Sequence, residues 1–578
     1  MESVTSLRFA SFELDIRSRE LRRGDARVRL QDQPFEILRV MLERPGEVVT
    51  REELQRRLWP EGTFVDFEHS LNAAVKRLRA ALGDDAENPR FVETLPRRGY
   101  RFIASLDADQ GRPVKTRPDQ ASPNVRLAVL PFSNLSDDSS QEYFSDGLTE
   151  ELISQLGPVC RGRISVIARV SSMAFKGTLQ RAAEIAEQLR ADYLLEGSVR
   201  RDGRRVRITV RLIEGATETE LWSETYDRTV DDWLSAQAEV ASHVARSLLL
   251  ELVPPSIATR PPEPAAHHAY LRARYQWGRP GDEGYSQALR YLDESIRIAP
   301  DFAASHGLRA RVLVGAAEYY RDVPRVALAA AHEAAQRALV LDPTNCEAQV
   351  VTAEVARMVD FDWDAARQRY REALTSNPSS ELAHRGYAFL LGVQGRHEDA
   401  TRAAELAREL DPLCLVPSSS VAWTLYLARR YEDAARECRH TIEMGERYVP
   451  AWRLLGAALL QLGDVTAAID ALQDARARAG DHPLVLAWLA HATAMAGDRD
   501  EAVRLISALR SIEDRYVSPY HLAVAFLGID SIDAAFESLA QAFVDRDPHI
   551  AHLIVEPCFD SLRNDARYRR LVGKMNLG

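Results

Sequence analysis

From His69 to Leu82 the chain runs without an acidic residue and offers six residues suited to a nucleic acid: His69, Asn72, Ala73, Lys76, Arg77 and Arg79. Asn and Arg side chains can hydrogen-bond base edges, Lys and Arg neutralise phosphates, and a small alanine lets a helix approach the groove closely. A second basic group follows at Arg97, Arg98, Gly99 and Tyr100, within a segment 90–101 whose sole acid is Glu93. A charged helix face is usually only solvated. These two groups carry meaning together, and only if the fold sets them side by side.

The surrounding pattern supplies elements that would do so. Residues 7–30 read as short strands with a turn at Arg23-Gly24-Asp25. After Pro34, the apolar residues Phe35, Leu38, Met41 and Leu42 recur at helical spacing. Thr50-x-x-Glu53 is a capping box, with Val49 and Leu54 placed as its hydrophobic staple, and Trp59-Pro60 ends that second helix. A third helix is expected over Glu68–Leu82, stopped by Gly83, with Leu71, Val75, Leu78 and Leu82 on one narrow stripe facing a core. That leaves the basic residues on the outer face. Residues 91–94 and 100–103 then read as a hairpin with two arginines at its tip, where such a hairpin meets phosphates or the minor groove.

With those residues in view, QDQPFEILRVMLERPGEVVTREELQRRLWP, SLNAAVKRLRAALGDD and FVETLPRRGYRFIA resemble the OmpR/PhoB-type winged-helix DNA-binding domain over about 98 residues. The resemblance implies a recognition helix at His69–Leu82 in the major groove and a wing at Arg97–Tyr100. It also implies that the loop Trp59–Phe67, with Trp59, Glu61, Phe64 and Asp66, contacts RNA polymerase. Response regulators of this type carry a receiver domain ahead of the winged helix, which here begins at about residue 7. The expectation is therefore a one-component, CadC-like regulator, without the membrane helix those regulators often have.

Two further regions follow, marked off by segments that read as linkers: 105–124, polar and without period, and 254–264, with five prolines in eleven residues. The expected domains are thus a winged helix at 1–104, a middle domain at 125–253 and a repeat region at 265–578. In the middle region, RLAVLPF, ISVIAR, VRITVRLIE and LWSETYDR read as strands, and 143–156, 179–189 and 233–252 as helices. This is an α/β domain with a mixed sheet, and its wording resembles the TolB N-terminal-like (FlgO-like) domain. Beyond it, small residues are followed at fixed offsets of four, seven and twelve, as in Ala288-Leu292-Ser295-Pro300, Ala331-Ala335-Ala338-Pro343, Ala366-Tyr370-Ala373-Pro378 and Ala400-Ala404-Ala407-Pro412. Ala468-Leu472-Ala475 keeps the phase, with weaker copies near Ala434, Ala502 and Ala535. The spacing resembles the tetratricopeptide repeat of about 34 residues, in roughly eight copies closed by a cap at 557–571. The fold class expected is multidomain: an α+β winged helix, an α/β middle domain and an all-α repeat solenoid.

Composition sets the remaining bounds. The net charge of −11 does not suit a general nucleic-acid binder, but residues 1–104 hold 19 Lys+Arg against 18 Asp+Glu, so the acid lies elsewhere and the basic footprint is local. Five well-separated cysteines without a C-x-x-C pair point to a reducing compartment. With no signal-peptide pattern and no run of about 18 apolar residues, the expected location is the cytoplasm.

No phosphate-loop, H-E-x-x-H or G-x-S-x-G motif occurs. Adjacent His267 and His268 point in different directions on a helix, and Asp137-Asp138 reads as an exposed turn. No enzyme, cofactor or metal is expected. The partners expected are double-stranded DNA, RNA polymerase, a homodimer on DNA, and a protein or peptide on the concave face of the repeats. The competing expectation is an interaction scaffold whose winged helix no longer binds DNA.

Overall fold

The computed structural model describes residues 6–577 except 10–11, 16–19, 24–25, 29, 31, 44–47, 59–66, 83, 85–88, 90, 96–98, 104–124, 137–141, 161–163, 203–204, 230–262, 278–281, 319–322 and 514. The chain divides into two compact units, Met1–Gln120 and Ala121–Gly578.

The first unit opens with an antiparallel sheet of β1 (Ser6–Phe9), β2 (Phe12–Asp15), β3 (Glu20–Arg23) and β4 (Ala26–Val28). Then come α1 (Asp32–Glu43), β5 (Val48–Thr50), α2 (Arg51–Leu58), α3 (Phe67–Leu82), β6 (Val92–Leu95) and β7 (Gly99–Phe102). β5, β7 and β6 form a second antiparallel sheet in that order. The expected capping bond is present, with the Glu53 N–H donating to Thr50 Oγ1 at 3.2 Å. Phe12, Leu14 and Leu21 from the first sheet close one core with Phe35, Leu38, Leu42, Leu54, Val92 and Phe102. This unit therefore has an apolar core of its own.

In the second unit, β8 (Val125–Val129), β9 (Ser133–Asn134), β10 (Ile164–Val166), β11 (Tyr193–Asp202), β12 (Arg205–Glu214) and β13 (Thr219–Thr229) make a mixed sheet in the order β10-β8-β11-β12-β13, with β9 beside β11. β8 pairs parallel with β10 and β11, whereas β12 and β13 are antiparallel additions. The helices α4 (Glu142–Cys160), α5 (Arg169–Met173) and α6 (Ala182–Leu189) accompany it. The helix expected at 233–252 and the turn at Asp137-Asp138 lie outside the described residues.

Eight helix pairs follow, from Pro264–Trp277 with Asp282–Ile298 to Pro519–Gly528 with Ile532–Asp545, and Ala566–Lys574 forms the final helix. The periodic small residues do the packing: Ala288, Ala331, Ala366, Ala400, Ala434, Ala468, Ala502 and Ala535 are all fully buried. The second helices of the first four pairs end at Ile298, Leu341, Ser376 and Leu410, each two residues before the proline that stops them.

The middle domain and the repeats, separate modules by composition, share a core. Leu148, Leu152 and Leu156 of α4 pack with Tyr270, Leu271, Leu292 and Leu308 from the first repeats. A Cβ on Gly147 would lie 2.7 Å from Leu271 Cδ2, so α4 can approach this closely only with glycine there. Buried Glu150 forms ion pairs with Arg169 and Arg274, at 2.9 and 2.6 Å. Further along, Ser171 donates from both N and Oγ to Asp411 at 2.8 and 2.6 Å. The two histidines are spent on this joint as well. His267 is buried beside Tyr270, which lowers its pKa to about 3, and His268 Nε2 lies 3.0 Å from Tyr143 Oη.

Along the later repeats the chain packs its own residues 549–560 against their helices. His552 packs on Trp423 (ring centroids 4.6 Å apart), Tyr426 donates to buried Glu556, and Arg429 grips Asp560 with two bonds of 2.8 and 3.0 Å. Among the described residues no helix is long and apolar enough to cross a membrane.

Candidate nucleic-acid interface

The candidate surface is built on α3. Leu71, Val75, Leu78 and Leu82 are all buried, so the helix is locked in rotation about its axis. At 100° per residue this turns Asn72, Lys76 and Arg77 outward, and all three are exposed. Ala73 is partly exposed between them, and its carbonyl accepts from Arg77 Nε at 3.2 Å. That bond lays the guanidinium along the outer face.

Asn72 is held from below. Tyr100 Oη donates to Asn72 Oδ1 at 2.8 Å, and Arg51 Nη1 donates to the same oxygen at 3.3 Å. With its oxygen engaged by two donors, the amide has its NH₂ left to offer outward. An NH₂ group suits purine N7, guanine O6, thymine O4 or a phosphate oxygen.

Two of the expected contact residues do other work. Arg79 Nη2 donates to the Val92 carbonyl at 2.7 Å and to Thr94 Oγ1 at 2.8 Å, so this guanidinium ties α3 to β6. The Tyr100 ring is 2% exposed and supports Asn72 from inside. These bonds give both residues a positioning role, holding α3 and Asn72 against the hairpin. The reason is the same for each: they lie where the helix crosses the hairpin, on the side facing the core. Gly99 is required by a close approach, because a Cβ there would sit 2.1 Å from the Val49 carbonyl oxygen across the β5–β7 pairing.

Arg97 and Arg98 lie outside the described residues, as do Trp59, Glu61, Phe64 and Asp66. His69 belongs to α3, but its side chain also lies outside them. The structure thus brings Asn72, Ala73, Lys76 and Arg77 together on one face and sets the hairpin strands against the same helix.

Sequence reasoning passed over two residues. Arg51 lies 5.2 Å from the centre of the Tyr100 ring as well as bonding Asn72. The signal was an arginine in the first turn of α2, where the helix dipole disfavours a cation and another use is to be sought. Asp84 accepts from the N–H groups of Phe91 and Val92 at 3.2 and 2.8 Å, clamping the start of the hairpin. Nothing in its spacing announced that. Among the described residues no group of three His, Cys, Asp or Glu is placed to hold a metal.

Comparison with known proteins agrees with this geometry. Residues 25–102 match the family model "Transcriptional regulatory protein, C terminal". Residues 123–243 match "HilA/YgeH-like transcriptional regulator, second domain", the relationship found for the region whose wording resembles TolB N-terminal-like domains. Residues 459–525 match "Tetratricopeptide repeat". The chain is 36% identical over 193 residues to a Rhizobium meliloti protein named as an adenylate cyclase, covering 33% of this chain and 32% of that one. It is 23% identical to the transcriptional regulator HilA of Salmonella typhimurium over 425 residues, 72% of each chain. It is 40% identical over 84 residues to the cholera toxin homolog transcriptional activator of Vibrio parahaemolyticus, 14% of this chain and 29% of that one. The chain thus spans about a third of the first of these relatives.

Proposed function

We propose that this chain, whose first unit carries an OmpR/PhoB-type winged helix, is a DNA-binding transcription regulator whose middle domain and tetratricopeptide repeats take in a signal through a protein partner. One observation carries the reading. The outer face of α3 presents Lys76 and Arg77 beside an Asn72 whose oxygen is held by Tyr100 and Arg51. A merely solvated charged face has no need of an oriented amide. The match to HilA over 72% of both chains supports the same role.

In this reading Asn72, Lys76 and Arg77 meet base edges and phosphates, His69 and Ala73 line the approach, and Arg97 and Arg98 anchor the wing. Two finer elements belong to the proposal: an RNA polymerase contact through Trp59, Glu61, Phe64 and Asp66, and a homodimer on DNA. The protein partner is assigned to repeat surface other than the stretch covered by residues 549–560. No catalytic step is assigned to the chain, and its location is the cytoplasm, where its DNA lies.

The test is an anisotropy titration of the full chain with its own upstream DNA, against a scrambled duplex of equal length. The proposal expects a preference for the upstream DNA that Lys76→Ala and Arg77→Ala together abolish. If the chain binds no DNA at low ionic strength, the regulator gives way to the protein-interaction scaffold.

A further inference from the structure

The middle domain is acidic, with 15 Lys+Arg against 20 Asp+Glu in residues 125–253, yet its basic residues are not spread evenly. Residues 200–211 (RRDGRRVRITVR) hold six of those arginines and a single aspartate. Five of the six lie on the ten-residue strands β11 and β12, and Arg204 lies outside the described residues.

The register decides which of them share a face. Arg200 stands directly opposite Arg207, and Asp202 opposite Arg205. Because side chains alternate along a strand, Arg205, Arg207 and Arg211 fall on the face that Arg200 also shares, with the opposed Arg200 and Arg207 about 5 Å apart at Cβ and Arg205 about 7 Å along the strand from Arg207. All four are exposed. Like charges directly opposite one another weaken a sheet, and here the fold keeps such a pair at its surface.

The acids nearby do not bury this charge. Arg207 bonds Asp227 of β13 at 2.8 Å and Arg211 bonds Glu196 at 2.7 Å. The Arg207–Asp227 pair is exposed on both sides (60% and 66%), so water screens it and another anion can readily take the carboxylate's place. The face also carries Asp202 opposite Arg205, together with Ser198, Ser223 and the pair Thr209 and Thr225, whose hydroxyls lie 3.3 Å apart. Around Arg200, Arg205 and Arg207 its described side chains are charged or hydroxyl-bearing, and the exposed Leu221 stands toward the other end of β13.

We infer that the β11–β12 ribbon is a second, sequence-independent DNA site that meets the phosphate backbone beside the sequence read by the winged helix. This rests on the proposed function, since the winged helix is what brings DNA to the chain. A duplex is a polyanion that needs only arginines to hold it, and a site on the same chain as a DNA-binding domain works at raised effective concentration. An acidic protein would be the other polyanion, but the polar surroundings of Arg200, Arg205 and Arg207 favour phosphates.

The experiment compares the full chain with Arg200→Gln/Arg205→Gln/Arg207→Gln, titrating a 40-bp scrambled duplex at several salt concentrations. Three lost phosphate contacts should flatten the log–log salt slope by about 2.7. Between 50 and 200 mM salt the wild-type chain should then lose about 40-fold more affinity than the variant. Replacing the same three arginines by lysine should restore the slope, which a purely structural role would not do. Equal slopes for wild type and the Gln variant, both folded, would overturn the inference and leave the winged-helix reading standing. So would an unchanged slope together with lost binding to an acidic protein. A wild-type chain that binds no DNA would overturn both.

Discussion

The molecule holds two hairpins bearing arginines, and their construction differs. In the first unit β6 and β7 are four residues each, and every described polar group in them is matched: Arg101 to Glu93 at 2.6 Å, Arg79 to Val92 and Thr94. In the second unit β11 and β12 are ten residues each and set Arg200 opposite Arg207 on an exposed face, where Arg200 bonds the Leu135 carbonyl and Arg207 an equally exposed Asp227. The short hairpin is bolted to a helix and contributes position. The long one is a platform and contributes charge. An arginine is informative about function mainly where its partner is exposed and easily exchanged for another anion.

The largest expected effect breaks the bolted hairpin. Gly99→Val should unfold the first unit, because its Cβ would stand within 3 Å of backbone atoms of Val49 that cannot give way. A cost of about 3 kcal/mol or more is expected, read as loss of that unit's thermal transition. The second unit's transition should stay where it was.

Next comes the contrast between neighbouring arginines on α3. Arg79→Ala removes two hydrogen bonds to β6 and should destabilise the first unit by about 1–3 kcal/mol in a urea titration. Arg77→Ala should change stability by less than about 0.5 kcal/mol while weakening specific DNA binding by about 1–3 kcal/mol. Similar stability losses for both would erase the distinction drawn between positioning and contact.

A smaller effect is expected at the joint of the second unit. Burial, together with the nearby Glu381 carboxylate, pushes the Asp411 carboxyl up to about 7, although Ser171 bonds partly offset this. The folded form then holds a proton between pH 4 and 7 that the unfolded chain has released. Stability from this group is therefore present at low pH and lost as the pH rises through about 7. Thermal unfolding of the second unit should fall between pH 5 and 8 by an amount worth roughly 2 kcal/mol at this site, and Asp411→Asn should flatten that fall. An identical pH profile in the variant would contradict it.

Local pattern carried much of this architecture. The stripe Leu71-Val75-Leu78-Leu82 fixed the rotation of α3 and hence which face is outward, and the alanine phase of the repeats marked positions that are fully buried in all eight pairs. What pattern could not carry is long-range pairing. Arg79 looks like any other basic residue on the helix until Val92, thirteen residues on, is brought to it. Likewise Asp411 meets Ser171 across 240 residues, and Glu556 reaches Tyr426 across 130. Those contacts fuse the middle domain to the repeats and seat the C-terminal segment on the repeat helices, which period alone could not reveal.

The account turns on a division of labour between α3 and the ribbon, and one measurement reaches it directly. The ratio of affinities for upstream and scrambled DNA is determined for the full chain, for Lys76→Ala/Arg77→Ala and for Arg200→Gln/Arg205→Gln/Arg207→Gln. The account predicts that the α3 variant brings the ratio close to one, and that the ribbon variant weakens both affinities while leaving the ratio unchanged. A ratio that survives the loss of Lys76 and Arg77 would contradict it.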